Sequence, residues 1–143
     1  MRVIPTKSVQ QCISALIMYN PDDSLDDNEN MFNEVSDKVV YGQITNAVRD
    51  TVIEDVDVHE GDYIGFVGDE ILSDGKDRNT AAKEMLSRLD TDEYGVMLII
   101  VGEETSDGEA DELYKELSAI YKNTEIIMIN GGQPIYDYMI VLE

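Results

Sequence analysis

Several residue types are scarce in this 143-residue sequence, and each scarcity excludes a class of protein. The single cysteine, Cys12, excludes a disulfide framework and a multi-cysteine zinc site, so a reducing cytoplasm is the simplest compartment. Serine-nucleophile motifs are absent, and the lone His59 is expected in an exposed turn rather than in a catalytic or zinc site. No apolar run approaches the roughly 20 residues of a membrane span, and the first residues lack the apolar stretch of a signal peptide. We therefore expect a soluble, cytoplasmic protein.

Cations are also scarce, because 10 Lys and Arg stand against 31 Asp and Glu, which leaves a formal net charge of -21. Phosphate backbones and anionic leaflets repel a chain this acidic, so nucleic acid and membrane insertion are poor candidates. Basic proteins and cations remain as partners.

Hydrophobic residues, by contrast, make up 43% of the sequence, which is enough for a packed core. The length fits one domain, since compact domains commonly have about 100–150 residues. The hydrophobic pattern predicts one α/β domain, with two layers and a mixed β-sheet, preceded by two N-terminal helices.

The two N-terminal helices are predicted over residues 8–19 and 24–38. Asn20-Pro21 separates them, because proline cannot continue a helix. Cys12 is expected to be a small buried hydrophobe on the apolar face of the first helix. Helical spacing assigns that buried face to Val9, Cys12, Ile13, Leu16 and Ile17.

From residue 39 onward the pattern changes to strands and then to alternating helix and strand. The first strand contains Gly42, which marks a bulge or a close approach of another element. The strands at 39–48, 51–53, 56–58, 63–67 and 70–72 are expected to form an antiparallel meander. A helix near 79–89, a buried strand at 96–101, a helix over 110–121, a buried strand at 126–129 and a closing strand at 135–142 complete the prediction.

The acidic cluster at 22–27 superficially suggests a calcium loop, and a second acidic cluster, at 103–112, lies at the start of a predicted helix. An EF-hand loop needs glycine at its sixth position and a bidentate Glu at its twelfth. Counting from Asp22 places Asp27 and Asn33 there, and counting from Asp90 places Val101 at the twelfth. Helix-capping carboxylates on a solvated surface are the favoured interpretation, and no metal site is predicted. A calcium- or magnesium-responsive module stays as a minor hypothesis.

The loop Asn130–Pro134 is the most interesting candidate site. It follows a buried strand, at the kind of sheet edge where α/β folds often bind ligands. The N–H groups of Gly131 and Gly132 would approach an oxyanion there, with Asn130 and Gln133 adding side-chain donors. However, no P-loop Lys-Ser/Thr pair is present, and no helix N-terminus is expected to face the loop. A tight turn and an anion site both remain open.

Two further features bear on that loop. Arg49 is a rare cation that either pairs with Asp50 or joins an anion site. Tyr136 and Tyr138 share one strand face, where they serve either core packing or a contact surface.

Four separated segments carry a family resemblance: VIPTKSVQQ at 3–11, GQITNAVRDT at 42–51, GDYIG at 61–65 and NGGQPIYDYMIVLE at 130–143. In order and spacing they resemble the C-terminal domain of FakA, the ATP-binding subunit of bacterial fatty acid kinase, from a dihydroxyacetone-kinase-like fusion family. The resemblance spans essentially the whole chain. One departure is Gln11-Cys12, where the family pattern has glycine.

The resemblance implies a division of labour. In that family an N-terminal kinase-like domain binds nucleotide and magnesium, a middle domain follows, and the C-terminal domain docks FakB. FakB is the DegV-type subunit that presents a bound fatty acid for phosphorylation of its carboxylate. This chain would be a non-catalytic docking domain without a cofactor of its own, and its partners would be FakB and the rest of the kinase chain. Residues 1–38 would be a helical connecting element, and residues 39–143 an α/β core like the second DegV domain.

The same resemblance leaves an alternative. The loop Asn130–Pro134 falls where DegV-type proteins have a glycine-rich loop near the acyl carboxylate, although their histidine and Gly-Pro-Gly pattern are absent here. Direct binding of a fatty acid or another small anionic ligand at this loop, with Arg49 and Tyr136, is therefore the second hypothesis.

Overall fold

The computed structural model describes residues 1–48, 51–53 and 56–143. Within these ranges the chain forms four α-helices and eight strands, in the mixed α/β arrangement that the sequence predicts. The chain divides into two compact units, Met1–Val40 and Tyr41–Glu143.

The first unit contains helices α1 (Val9–Ile17) and α2 (Leu25–Lys38), which contact each other. Ser8 caps α1 by accepting a hydrogen bond from the Gln11 N–H, and Ser24 caps α2 in the same way. Asp26 and Asp27 in the first turn of α2 and Lys38 in its last turn suit the helix dipole.

The predicted buried face of α1 is wrong. Gln10, Ser14 and Ala15 are the buried residues of this helix, whereas the predicted apolar face points to solvent and Cys12 is exposed. Hydrophobic periodicity identifies which side of a helix is apolar. It does not show whether another part of the same chain covers that side. The exposed residues on that face are Val9, Cys12, Leu16 and Ile17, while Ile13 is half-buried.

The second unit is built around a six-stranded sheet with the order β5-β4-β1-β8-β6-β7. On one side of the sheet, β4 pairs antiparallel with both β1 and β5. On the other side, β6 pairs parallel with β7 and antiparallel with β8. The strands are β1 (Val40–Asn46), β4 (Tyr63–Val67), β5 (Glu70–Gly75), β6 (Val96–Val101), β7 (Glu125–Asn130) and β8 (Tyr136–Leu142).

The expected meander is only partly correct. Strands β2 (Thr51–Ile53) and β3 (Val56–Val58) form a separate two-stranded sheet, and β1 pairs directly with β4. The expected turn at residues 54–55 lies outside the described residues. Short strands carry too few side chains to reveal which neighbour they pair with, so chain order alone suggested one continuous ribbon.

Helices α3 (Arg78–Ser87) and α4 (Asp107–Ile120) form the second layer, and a short 3-10 helix, Thr91–Glu93, follows α3. A Cβ on Gly42 would overlap the side chain of Met85, so this glycine marks a close approach of α3 to the sheet. Large apolar side chains that are fully buried in this unit include Ile44, Met85, Leu86, Met97, Ile99, Leu113, Leu117, Ile140 and Leu142.

Candidate functional site

The candidate loop connects the parallel strand β7 to the closing strand β8 at the carboxyl end of β6. Its backbone is fastened to β6, because the N–H groups of Gly131 and Gly132 both donate to the carbonyl oxygen of Val101, at 2.9 and 3.0 Å. Gln133 Nε2 donates to the carbonyls of Ile100 and Tyr136, at 3.2 Å each. Three of the four donors that the sequence assigned to an oxyanion, those of Gly131, Gly132 and Gln133, are therefore used within the protein, while Asn130 is exposed.

The carboxyl end of β6 continues this attachment on the other side of the loop. Glu103 N–H donates to the carbonyl of Gln133 at 3.1 Å, and Gly102 N–H donates to that of Asp137 at 2.9 Å. Thr105 Oγ1 donates to the same Asp137 carbonyl at 3.1 Å. One continuous segment, residues 100–105, thus clamps both ends of the loop, which fixes its conformation.

A strained residue stands in this fixed loop. Ile135 has φ = 75°, a left-handed conformation that is a genuine outlier for a β-branched residue. The residue is 74% exposed, and its carbonyl accepts a 2.7 Å hydrogen bond from Thr45 Oγ1. Strain of this kind persists only where the surroundings enforce it, and it often accompanies function.

A shallow cavity of ≈ 350 Å³ lies beside the loop, between the first turn of α4 and the end of β7. The expectation that no helix N-terminus approaches the loop is wrong, since Asp107 and Asp111 of α4 line this cavity together with Asn130. The parallel β6-α4-β7 crossover brings that helix start to the same sheet edge. The two carboxylates make the cavity unsuitable for a fatty acid carboxylate.

Beneath the clamp lies a polar network centred on Arg78, whose side chain is only 12% exposed. Its Nε lies 3.4 Å from Asp137 Oδ1, and its Nη1 lies 3.3 Å from Glu109 Oε2. Nη1 also donates to the carbonyl of Glu104, and Nη2 donates to the Tyr63 hydroxyl at 3.1 Å. The guanidinium therefore links α3 to α4, to β4, to β8 and, through the Glu104 carbonyl, to the segment that clamps the loop.

Asn79, the neighbour of Arg78, extends this network into the core. The buried Tyr138 hydroxyl donates to Asn79 Oδ1 at 2.7 Å, and Asn79 Nδ2 donates to the carbonyl of Glu109 at 2.9 Å. Burial raises the pKa of Tyr138, so the phenol stays protonated as a donor. The sequence left core packing and a contact surface open for Tyr136 and Tyr138, and Tyr138 is a core residue.

The ionisable groups of the network are perturbed in opposite directions. Burial raises the pKa of Asp137 and outweighs the attraction of Arg78. Hydrogen bonds from the Ser106 hydroxyl and N–H hold the pKa of Glu109 below its usual range. This Ser106–Glu109 capping box also fixes the start of α4.

The remaining sequence candidates fall at different places. Arg49 lies outside the described residues. Tyr136 is half-buried and its ring lies 6.3 Å from that of Phe66. His59 occupies an exposed turn, where Nδ1 is 3.4 Å from Asp62 Oδ2. Among the described residues, no group of three His, Cys, Asp or Glu side chains is placed to hold a metal ion.

Sequence reasoning missed Arg78, Asp137 and Ile135, although two of them left a signal. A cation in the first turn of a helix opposes the helix dipole, so Arg78 needed a nearby anion. Asp137 is a lone carboxylate inside a strand that is otherwise apolar or aromatic, where a buried charge requires a partner. The positive φ of Ile135 has no local signal, because no glycine or asparagine stands there.

Taken together, the second unit is a two-layer α/β domain with a clamped, internally hydrogen-bonded loop at its sheet edge. No helix in the described part of the chain is long and apolar enough to cross a membrane. These features define a two-layer α/β class of domain, and comparison with known proteins gives the family.

A family model for the C-terminal domain of FakA-like fatty acid kinase proteins matches residues 1–143. Protein YloV of Bacillus subtilis strain 168 is 37% identical over 142 residues, which cover 99% of this chain and 26% of YloV. Uncharacterized proteins of Staphylococcus aureus strain MRSA252 and Staphylococcus haemolyticus are each 33% identical over 141 residues, with the same coverage. The chain thus spans about a quarter of the length of these curated relatives.

The chain belongs to the FakA-like C-terminal family of fatty acid kinase, as its four sequence segments indicated.

Proposed function

We propose that this chain is a non-catalytic docking domain of a fatty acid kinase. It recruits an acyl-carrying, DegV-type FakB partner, so that a separate kinase domain, which holds ATP and magnesium, phosphorylates the fatty acid carboxylate. Membership of the FakA-like family supports the kinase context. The clamped loop with its strained, exposed Ile135 is the observation that favours docking.

The loop is better suited to a protein surface than to a small anion. Gly131 and Gly132 have no N–H left for an oxyanion, because both donate to Val101. Glu103 and Glu104 beside the loop are exposed, and their charges would repel a fatty acid carboxylate. The alternative of direct acyl binding at Asn130–Pro134 therefore has less support.

A protein partner, in contrast, gains from the same features. An exposed aliphatic side chain on a fixed backbone costs little conformational entropy to bury. The exposed carboxylates of Glu103 and Glu104 beside the loop form an acidic rim, which favours a partner with a basic patch and disfavours acidic ones. We therefore place the contact for FakB on the loop Asn130–Tyr136, with Ile135 at its centre.

Replacing Ile135 with asparagine tests this placement. Asparagine tolerates the left-handed conformation, so we expect the free energy of unfolding to stay unchanged or to rise by up to about 1 kcal/mol. Affinity for immobilised FakB-type protein should fall at least about tenfold, because a central apolar contact is lost. Thermal denaturation and biolayer interferometry measure the two effects.

The matched control is Ile120→Asn, which changes another exposed isoleucine, at the end of α4. This variant should bind within about twofold of the original chain, as expected for a residue outside the contact. Equal affinities of the two variants would place the docking surface elsewhere.

A further inference from the structure

Helix α1 presents its apolar side to solvent and buries its polar side. Val9, Leu16 and Ile17 are 61, 66 and 63% exposed, and Cys12 lies among them on the same side of the helix. Gln10 and Ser14, one turn apart, are 0% exposed. These four exposed residues, Val9, Cys12, Leu16 and Ile17, are called the α1 face below.

The buried side of α1 is poorly satisfied. Neither polar atom of the Gln10 side chain, nor the Ser14 hydroxyl, has a hydrogen-bond partner among the described residues. An amphipathic helix gains most by covering its apolar side, and that gain is not yet realised in this helix. Contiguous exposed apolar residues of this kind mark an interaction site.

The charge of the chain narrows the choice of partner. A second copy would bring another net charge of -21 to the interface, and anionic leaflets repel the chain in the same way. The α1 face itself carries no charge, so the basic partner favoured at the carboxylate-rimmed loop is not favoured here. The α1 face is therefore best matched by an apolar protein surface. A surface on the same polypeptide would have a high effective concentration next to this face.

The longer relatives contain the chain from which such a surface would come. The chain matches 26% of YloV, and the matching family is a C-terminal one, so relatives carry further chain ahead of this domain. We propose that the α1 face packs against the portion of a FakA-type protein that precedes this domain. The proposal rests on family membership and not on FakB docking, so either can fail without the other.

Cys12 provides a direct probe, because it is the only cysteine and lies on the α1 face. The free chain is compared with a chimera in which this chain replaces the matching quarter of Bacillus subtilis YloV. Both are alkylated with N-ethylmaleimide and digested with trypsin, and the peptide 8–38, which has no internal Lys or Arg, is quantified by mass spectrometry. We expect alkylation at least about tenfold slower in the chimera, since packing excludes the reagent.

Two variants make the result specific. Leu16→Asp with Ile17→Asp should restore fast alkylation in the chimera, because it places charges in the packed face. Ile120→Cys, on α4, should be alkylated equally fast in both proteins, because this position is exposed and lies outside the α1 face. The same measurement on YloV itself, with a cysteine at the position aligned with Cys12, requires no fusion.

Three results would overturn the proposal. The first is equal alkylation of Cys12 in the free chain and the chimera, together with an exposed cysteine in YloV. The second is protection in the free chain that increases with its concentration, which would make a second copy the occupant. The third is protection of the free chain by added FakB-type protein, which would assign the α1 face to the carrier.

Discussion

Replacing Arg78 with alanine is expected to lower the free energy of unfolding by about 3–5 kcal/mol, because it leaves a buried carboxylate without its partner. Asp137 is 5% exposed, and Arg78 is the cation beside it. The substitution also removes the links to the Tyr63 hydroxyl and to the carbonyl of Glu104. Urea denaturation followed by circular dichroism measures the loss.

The pH dependence of that loss identifies Asp137 as its cause. Burial raises the pKa of Asp137 in the folded state, so its favourable contribution is present at low pH and is lost as the pH rises through that raised pKa. Without Arg78 the pKa rises further. The difference in stability between Arg78→Ala and the original chain should therefore shrink as the pH falls from neutral, and Arg78→Ala with Asp137→Asn should recover part of the loss at neutral pH.

Arg88→Ala serves as the control, because Arg88 lies exposed at the end of α3. A surface change of this kind is expected to stay within about 0.5 kcal/mol. If the two alanine variants lose equal stability, the Arg78 network does not hold the domain together.

The second large effect is expected for Gly102→Ala, which should lower the free energy of unfolding by about 3 kcal/mol. A Cβ at this position would overlap the carbonyl oxygen of Tyr136 and stand 3.0 Å from that of Gln133. Both neighbours are backbone atoms, so the clamp must open to admit the methyl group. Because the loop Asn130–Tyr136 moves with the clamp, affinity for FakB-type protein should fall as well.

Gly108→Ala is the matched control, and it is expected to change the free energy of unfolding in the opposite direction. Gly108 lies in the first turn of α4, and a Cβ there would meet nothing within 4 Å. Alanine should raise the free energy of unfolding by about 0.5–1 kcal/mol, since it restricts the unfolded chain and favours the helix. Thermal denaturation of both variants checks the pair, and a stable Gly102→Ala protein would contradict the clamp.

The strands and helices of the core could be predicted because their hydrophobic patterns are local. The run Val96–Val101 reads as a buried strand wherever it lies in a sheet, and the period of Ala110, Leu113 and Leu117 indicates a helix face. The exposure of α1 could not be predicted, since the apolar pattern of Val9, Leu16 and Ile17 is the same whether or not a covering surface is present.

Only those features of the site that depend on neighbouring residues in the sequence could be predicted. Glycines in the loop Asn130–Pro134 indicated a short connection at the end of a strand, which the fold has. The strand before it, β7, was wrongly predicted to be buried, because it is the outermost strand of the sheet and its Ile127 and Ile129 are exposed. The hydrogen-bond partner of the loop glycines, Val101, lies about 30 residues earlier in the chain, and register decides whether those donors are free. Arg78 and Asp137 are also far apart in sequence. Their pairing was indicated only by the unfavourable local position of each charge, a cation in the first turn of a helix and a carboxylate in an apolar strand.

Isothermal titration of FakB-type protein loaded with fatty acid into this 143-residue chain tests the docking function most directly. We predict a saturable one-to-one binding heat at tens of micromolar protein (about −6 kcal/mol of binding free energy or stronger), weakened by added salt because the acidic rim contributes attraction. Fatty acid alone, titrated under the same conditions, should give no saturable heat. Absence of binding heat with the loaded carrier, or saturable binding of the free fatty acid instead, would contradict the docking account.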